Sequence, residues 1–161
     1  MQSFVKQLPP LLELLADPTT PYTAKELWCR VVSPEWEECV PILKSALRMG
    51  DGSVKRLVMD VLCTHAGQMG TTATEPFHEL IADLLFEPDR IVRNAASYAC
   101  RDLGIRSPRA IEGLRQIIRQ DDTELVRQAL ITLLELDDLL VIEFSLLLRE
   151  SAGGTKPQQN G

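Results

Sequence analysis

Asp89-Arg90-Ile91-Val92-Arg93-Asn94-Ala95-Ala96 returns thirty-four residues later as Thr123-Glu124-Leu125-Val126-Arg127-Gln128-Ala129-Leu130. Thirty-eight residues before Val92, Val54-Lys55-Arg56-Leu57-Val58 carries the same frame. Self-similarity at a period of about 30–40 residues marks a stack of small units, each too small to bury its apolar side alone. The phrase therefore decides the architecture and leaves the partner open.

Working outward, apolar residues step by three and four. Phe77, Leu80, Ile81, Leu84 and Leu85 do so, as do Ile111, Leu114, Ile117 and Ile118, and Leu125, Val126, Ala129, Leu130, Leu133 and Leu134. Such a stripe is one face of a helix, and nothing alternates as a strand would. Stop signals divide the helices into pairs. Ser33-Pro34 and Ser107-Pro108 read as an N-cap followed by proline in the first turn. Gly50-Asp51-Gly52-Ser53 breaks the chain, with Ser53 expected to cap the next helix. Gly67 and Gly104 are expected to end helices, and Asp122 to cap one. Pro9, Pro10, Pro41 and Pro76 fall near the starts of first helices, where a missing N–H is tolerated. Pro41 lies deeper, so a kink or a start near Glu38 is expected. The spacing predicts hairpins at 4–32, 34–66, 74–104 and 108–136, an unpaired helix at 138–150, and a polar, disordered tail at 151–161. The fold class is all-α, a short right-handed α-solenoid of about four helical hairpins plus a C-terminal helix, occupying residues 1–150.

A chain of 161 residues suits one domain, and 45% hydrophobic residues are enough for a core. Aromatics are only 5%, so small and aliphatic side chains must carry the packing. The net charge of -6 argues against nucleic acid or anionic lipid as partner of the whole chain. Cys29, Cys39, Cys63 and Cys100 form no C-x-x-C pair and fall in helical stretches, which reads as reduced, buried thiol. No run reaches the roughly 18 apolar residues of a membrane span, and the start has no apolar signal core. A cytoplasmic location is expected.

These residues resemble the HEAT-repeat family, in the variant known from phycobilisome bilin lyases. The family phrase runs from a small residue and proline through aliphatic pairs and an acidic turn to Val-Arg-x-x-Ala and Leu-Gly. The third repeat matches through Ala73, Pro76, Leu80, Leu84, Asp89, Val92, Arg93, Ala96, Leu103 and Gly104. The fourth matches through Ala110, Leu114, Ile118, Asp121, Val126, Arg127, Leu130 and Leu134, with Gly113 near the place of the proline and Leu136-Asp137 instead of Leu-Gly. The second matches through Val40-Pro41-Ile42-Leu43, Leu47, Asp51 and Val54-Lys55. The first, Leu8-Pro9-Pro10-Leu11-Leu12 to Trp28, is degenerate, as terminal repeats are. The resemblance implies architecture; the repeat serves scaffolds, adaptors, lyases and regulators alike. In physical terms, Val92 and Val126 are expected to face neighbouring helices, Arg93 to pair with Asp89, and Arg127 with Asp121 or Asp122.

Chemistry is sparse. His78-Glu79 is one His-Glu dipeptide, whereas a HEAT-fold metal hydroxylase uses several on successive repeats to hold two irons. One pair does not complete a transition-metal site. His65 sits near a helix C-terminus, a favourable place for a partly cationic ring. No base accompanies Cys63, and there is no Walker loop, G-x-G-x-x-G or G-x-S-x-G. No catalytic, cofactor or metal residues are assigned, and no enzyme activity is expected.

Residues 90–119 carry seven arginines against Asp102 and Glu112, a local net charge of +5. HEAT-like alkylpurine glycosylases bind DNA on such a face. Residues 120–150, however, hold eight acidic residues against two arginines, net -6, and Tyr98 is the lone aromatic of the basic segment. The pattern reads as a charge dipole along the stack, suited to protein partners. The expected function is a non-catalytic protein-interaction or scaffold module with a concave surface lined by second helices. The alternatives are a bilin lyase-like chromophore-handling protein and a nucleic-acid-binding HEAT-like protein. The expected partner-binding positions are Lys55, Met59, Asp60, Asn94, Ser97, Tyr98, Arg101, Gln128, Ile131 and Glu135. The apolar helix at 138–150 suggests a cap or a homodimer face through Leu140, Phe144 and Leu147.

Overall fold

A computed structural model describes residues 4–17, 19, 35–120 and 122–136. Among them are seven α-helices and no strand. They are α1 (Leu8–Ala16), α2 (Trp36–Met49), α3 (Gly52–Met69), α4 (His78–Leu84), α5 (Arg90–Asp102), α6 (Pro108–Ile118) and α7 (Thr123–Leu136). A 3-10 turn, Thr71–Phe77, leads into α4.

The helices pair in sequence order: α2 with α3, α4 with α5, and α6 with α7. The second helices stack on one another, α3 on α5 and α5 on α7, while the first helices α4 and α6 pack side by side. The short α1 rests on α2 and α3. One continuous core follows, with Leu43, Leu57, Leu62, Phe77, Ile81, Leu114 and Ile117 fully buried. Each such side chain contributes about 1.5–3 kcal/mol, so this seam dominates any surface ion pair. The all-α solenoid read from the repeated phrase is the observed fold.

The caps explain where each second helix begins. Asp51, Asp89 and Asp122 precede α3, α5 and α7, and each carboxylate accepts a backbone N–H of the first turn: Val54 at 2.9 Å, Ile91 at 2.8 Å and Leu125 at 3.1 Å. Such caps satisfy amides that lack a helical partner and favour the positive end of the helix dipole. Ser53 is therefore not the cap of α3. The carboxylate two residues earlier reaches the orphan amide, and Gly52 becomes the first helical residue. A side chain there would run into the Asp89 carboxylate of the next repeat.

Ser107 caps α6 by accepting from the Ala110 N–H, with Pro108 in the first turn as expected. Gly104 has φ +65 and ends α5. The Ile105 N–H reaches the Cys100 carbonyl at 2.8 Å and the Gly104 N–H reaches Arg101 at 3.1 Å, the paired bonds of a Schellman end. Gly67 is a correction: α3 continues to Met69, and Gly70, with φ +87, takes the capping place. Pro41 lies inside α2, which starts at Trp36 rather than Glu38. Pro41 is exposed, so the carbonyl left without its N–H partner is on the wet side of the helix.

The expected Arg93–Asp89 pair is also corrected. Asp89 is committed to the cap, and the Arg93 guanidinium donates to the Glu87 and Pro88 carbonyls at 2.8 and 2.7 Å. Lys55, its counterpart one repeat earlier, bonds the Glu87 carboxylate at 2.7 Å. Two successive repeats thus clamp one turn. Asp122 takes Arg90, while Asp121 lies outside the described residues. Also outside them are most of the 4–32 hairpin, Cys29, Ser33-Pro34, the 138–150 helix with Leu140, Phe144 and Leu147, and the tail.

Candidate functional site

Each second helix packs on its own first helix and on its neighbouring second helices among the described residues, so that α5 is held between α3 and α7. Only a narrow strip remains free. On α3 that strip holds Arg56 and Asp60, on α5 Ile91, Asn94, Tyr98 and Arg101, and on α7 Arg127, Ile131, Leu134 and Glu135. Ile91, Tyr98 and Leu134 are large apolar groups left 55%, 42% and 38% exposed.

The ten expected positions divide accordingly. Asp60, Tyr98 and Glu135 are exposed, and Asn94, Arg101 and Ile131 are half-buried. Lys55, Met59, Ser97 and Gln128 are buried, contrary to the expectation of exposure. Each of these four is covered by a neighbouring repeat, Lys55 by the Glu87 turn, which the pattern of a single helix does not reveal. Ser97, Gln128 and Thr132 form a buried polar knot between α5 and α7. The Ser97 and Thr132 hydroxyls lie 3.3 Å apart, Thr132 donates to the Ser97 carbonyl at 3.3 Å, and the Gln128 amide donates to the Thr132 hydroxyl at 3.4 Å. Burial without such partners would cost about 1–3 kcal/mol per group.

Sequence reasoning passed over Arg56, Arg90, Ile91, Asp102 and Leu134. The spacing of four in Arg56–Asp60 and Ile91–Ala95–Ala99 was the signal that could have found them. All of these but Leu134 line, with Met59, Cys63, Asn94 and Tyr98, a groove of about 410 Å³ between α3 and α5.

Three arginines of this face are matched within the chain. Arg56 lies 4.0 Å from Asp60. Arg90 bonds Asp122 and, at 3.1 Å, Glu124. Arg101 bonds Asp102 at 3.0 Å, approaches Glu135 at 3.8 Å, and lies over the Tyr98 ring at 5.2 Å. The hydrogen bond from Arg90 draws the Asp122 carboxyl down to about 2, and the same bond raises the Arg90 guanidinium. The arginines of 90–119 do not gather on one surface: Arg109 turns back to Asp83 at 2.8 Å and to the Phe86 ring at 3.7 Å.

The cysteines and histidines sit in quiet settings. Burial pushes the Cys63 and Cys100 thiols up to about 12, and Cys39 to about 11. A thiolate nucleophile needs the opposite shift. His65 is buried, stacked on Trp36 at 3.6 Å, and its pKa is lowered by burial. His78 is half-buried with its pKa lowered by the same cause, against the opposing pull of Glu75 and Glu79. Among the described residues no cluster of three His, Cys, Asp or Glu could hold a metal ion. No described helix is long and apolar enough to cross a membrane.

The sequence model for HEAT repeats matches residues 40–135. No curated protein and no solved structure matches the chain.

Proposed function

The chain belongs to the HEAT-repeat family, and on that premise we propose that it is a non-catalytic protein-interaction module whose α3–α5–α7 strip is read by a protein partner. The observation that carries this reading is the strip itself. Large apolar groups stand in it beside Arg56 and Arg101, whose charges are already matched by neighbouring carboxylates. Exposed apolar area of this kind favours protein contact, and a self-neutralised surface offers little to a polyanion.

The test is affinity capture from the native host with the full chain, in parallel with Tyr98→Ala/Arg101→Ala. One captured protein, lost with the double variant while the thermal unfolding curve is unchanged, supports the reading. Equal capture by both would refute the strip as the site. Self-association through Leu140, Phe144 and Leu147 is a separate proposal. Light scattering tests it: a dimer that persists in Leu140→Glu/Phe144→Glu refutes it.

A further inference from the structure

We propose that the groove between α3 and α5 receives a single amphipathic α-helix of the partner, lying antiparallel to both helices. This deepens the interaction-module reading and rests on it.

The groove is built from straight rows of residues four apart. Its floor is Met59 and Cys63 on α3 with Ala95 and Ala99 on α5. Met59 and Ala99 are buried, Cys63 and Ala95 half-buried. Its walls are Arg56–Asp60 on one side and Asn94–Tyr98–Asp102 on the other. Rows at this spacing are the ridges of a helix surface, and the trough between ridges is the shape that another helix's ridge fills. Two alanines in succession on the floor allow close approach. The run from Arg90 to Asp102 spans about 18 Å at the helical rise, which is about three turns of a partner helix.

Charge sets the direction. The helices are parallel: Gly52 at the start of α3 meets Asp89 at the start of α5, and Cys63 lies within electrostatic reach of Asp102 and Arg101 at the far end. Within the lining, Arg56 and Arg90 stand toward the N-terminal ends, Asp60 one turn beyond Arg56, and Asp102 at the C-terminal end of α5. The helix dipoles run in the same sense. A partner helix is complementary when its carbonyl end meets Arg56 and Arg90 and its amide end meets Asp102. Because each of these charges already has a partner in the chain, they select orientation more than they add affinity. The affinity comes from the apolar ridge on the alanine floor.

The test is selection of random peptides of about 16 residues, enough for four helical turns, displayed against the purified full chain. Two groove-filling variants, Ala95→Trp and Asn94→Tyr, are run alongside, each checked for an unchanged unfolding curve. The expected winners carry apolar residues at spacings of three and four, basic residues toward the amino end and acidic residues toward the carboxyl end. That charge order is the reverse of what an isolated helix prefers, so it reports the groove. They bind about ten-fold or more weakly to either filled variant, and NMR shows them helical when bound. Winners without helical periodicity, winners indifferent to both variants, or no winners at all would overturn the helix proposal. Capture of a host protein that depends on Tyr98 and Arg101 would, in any of those cases, leave the interaction-module reading standing.

Discussion

Gly113 and Gly67 are both helical glycines, and alanine at the two sites is expected to act with opposite sign. Gly67 lies late in α3, exposed, with no atom within 4 Å of the position its Cβ would take. Alanine there gains the helix-propensity term of about 0.5–1 kcal/mol and meets nothing. Gly113 is buried in α6 where that helix crosses α4. Its added Cβ would fall 2.7 Å from Leu85 Cβ, 2.9 Å from Leu85 Cδ1 and 3.1 Å from Phe86 Cε2. Leu85 Cβ is tied to backbone, so relief requires moving one first helix away from the other. Overpacking of this kind costs about 1–3 kcal/mol. The propensity term is common to both sites and cancels in the comparison. Gly113→Ala is therefore expected to lie about 1–3 kcal/mol below Gly67→Ala in unfolding free energy. In thermal melts the gap is about 2–4 °C per kcal/mol for a chain of this size. Urea unfolding followed by far-UV circular dichroism measures it, with the slope m checked for constancy. If Gly113→Ala is as stable as Gly67→Ala, the close approach of α4 and α6 is wrong, and with it the stacking of the first helices.

Three further outcomes follow from the same contacts. Thr132→Val removes the hydroxyl that joins Ser97 and Gln128 between α5 and α7, and is expected to cost about 1–3 kcal/mol of stability; a neutral urea midpoint would show that the knot contributes nothing. Burial lowers the His65 pKa from 6.5, so its neutral ring is favoured in the fold: that contribution is complete above pH 6.5 and is lost as the pH falls toward the folded value. His65→Phe, which keeps a ring against Trp36, should make the acid side of the stability profile shallower, and an unchanged slope speaks against the assignment. Cys100, buried and with its thiol raised to about 12, should be alkylated by iodoacetamide only after denaturation; site-resolved mass spectrometry that finds it modified in the native chain contradicts the burial.

The helix pairs were legible because the apolar period of three to four and the capping residues are local properties of the chain. Ser107-Pro108, Asp122 and Gly104 each act where the pattern placed them. Two of the mistakes are local: Asp51 rather than Ser53 reaches the orphan amide of α3, and that helix runs past Gly67 to Met69. The others come from neighbouring repeats. Arg93 leaves Asp89 for the carbonyls of a turn that Lys55, from the preceding repeat, also holds. Met59 and Ser97 look outward on a helical wheel drawn for one repeat and are buried by the neighbouring one.

By itself the sequence determined that there are repeated amphipathic helices, where most of them start and stop, and that they must stack to bury a common seam. Those are consequences of backbone hydrogen bonding and side-chain period within one or two turns. Only the tertiary structure decided which strip of each second helix stays in water, which charges cancel across repeats, and that alanines 95 and 99 floor an open trough. Exposure depends on where the adjacent helices sit, and that position is set by packing summed over three repeats rather than by any residue's own neighbours in the chain.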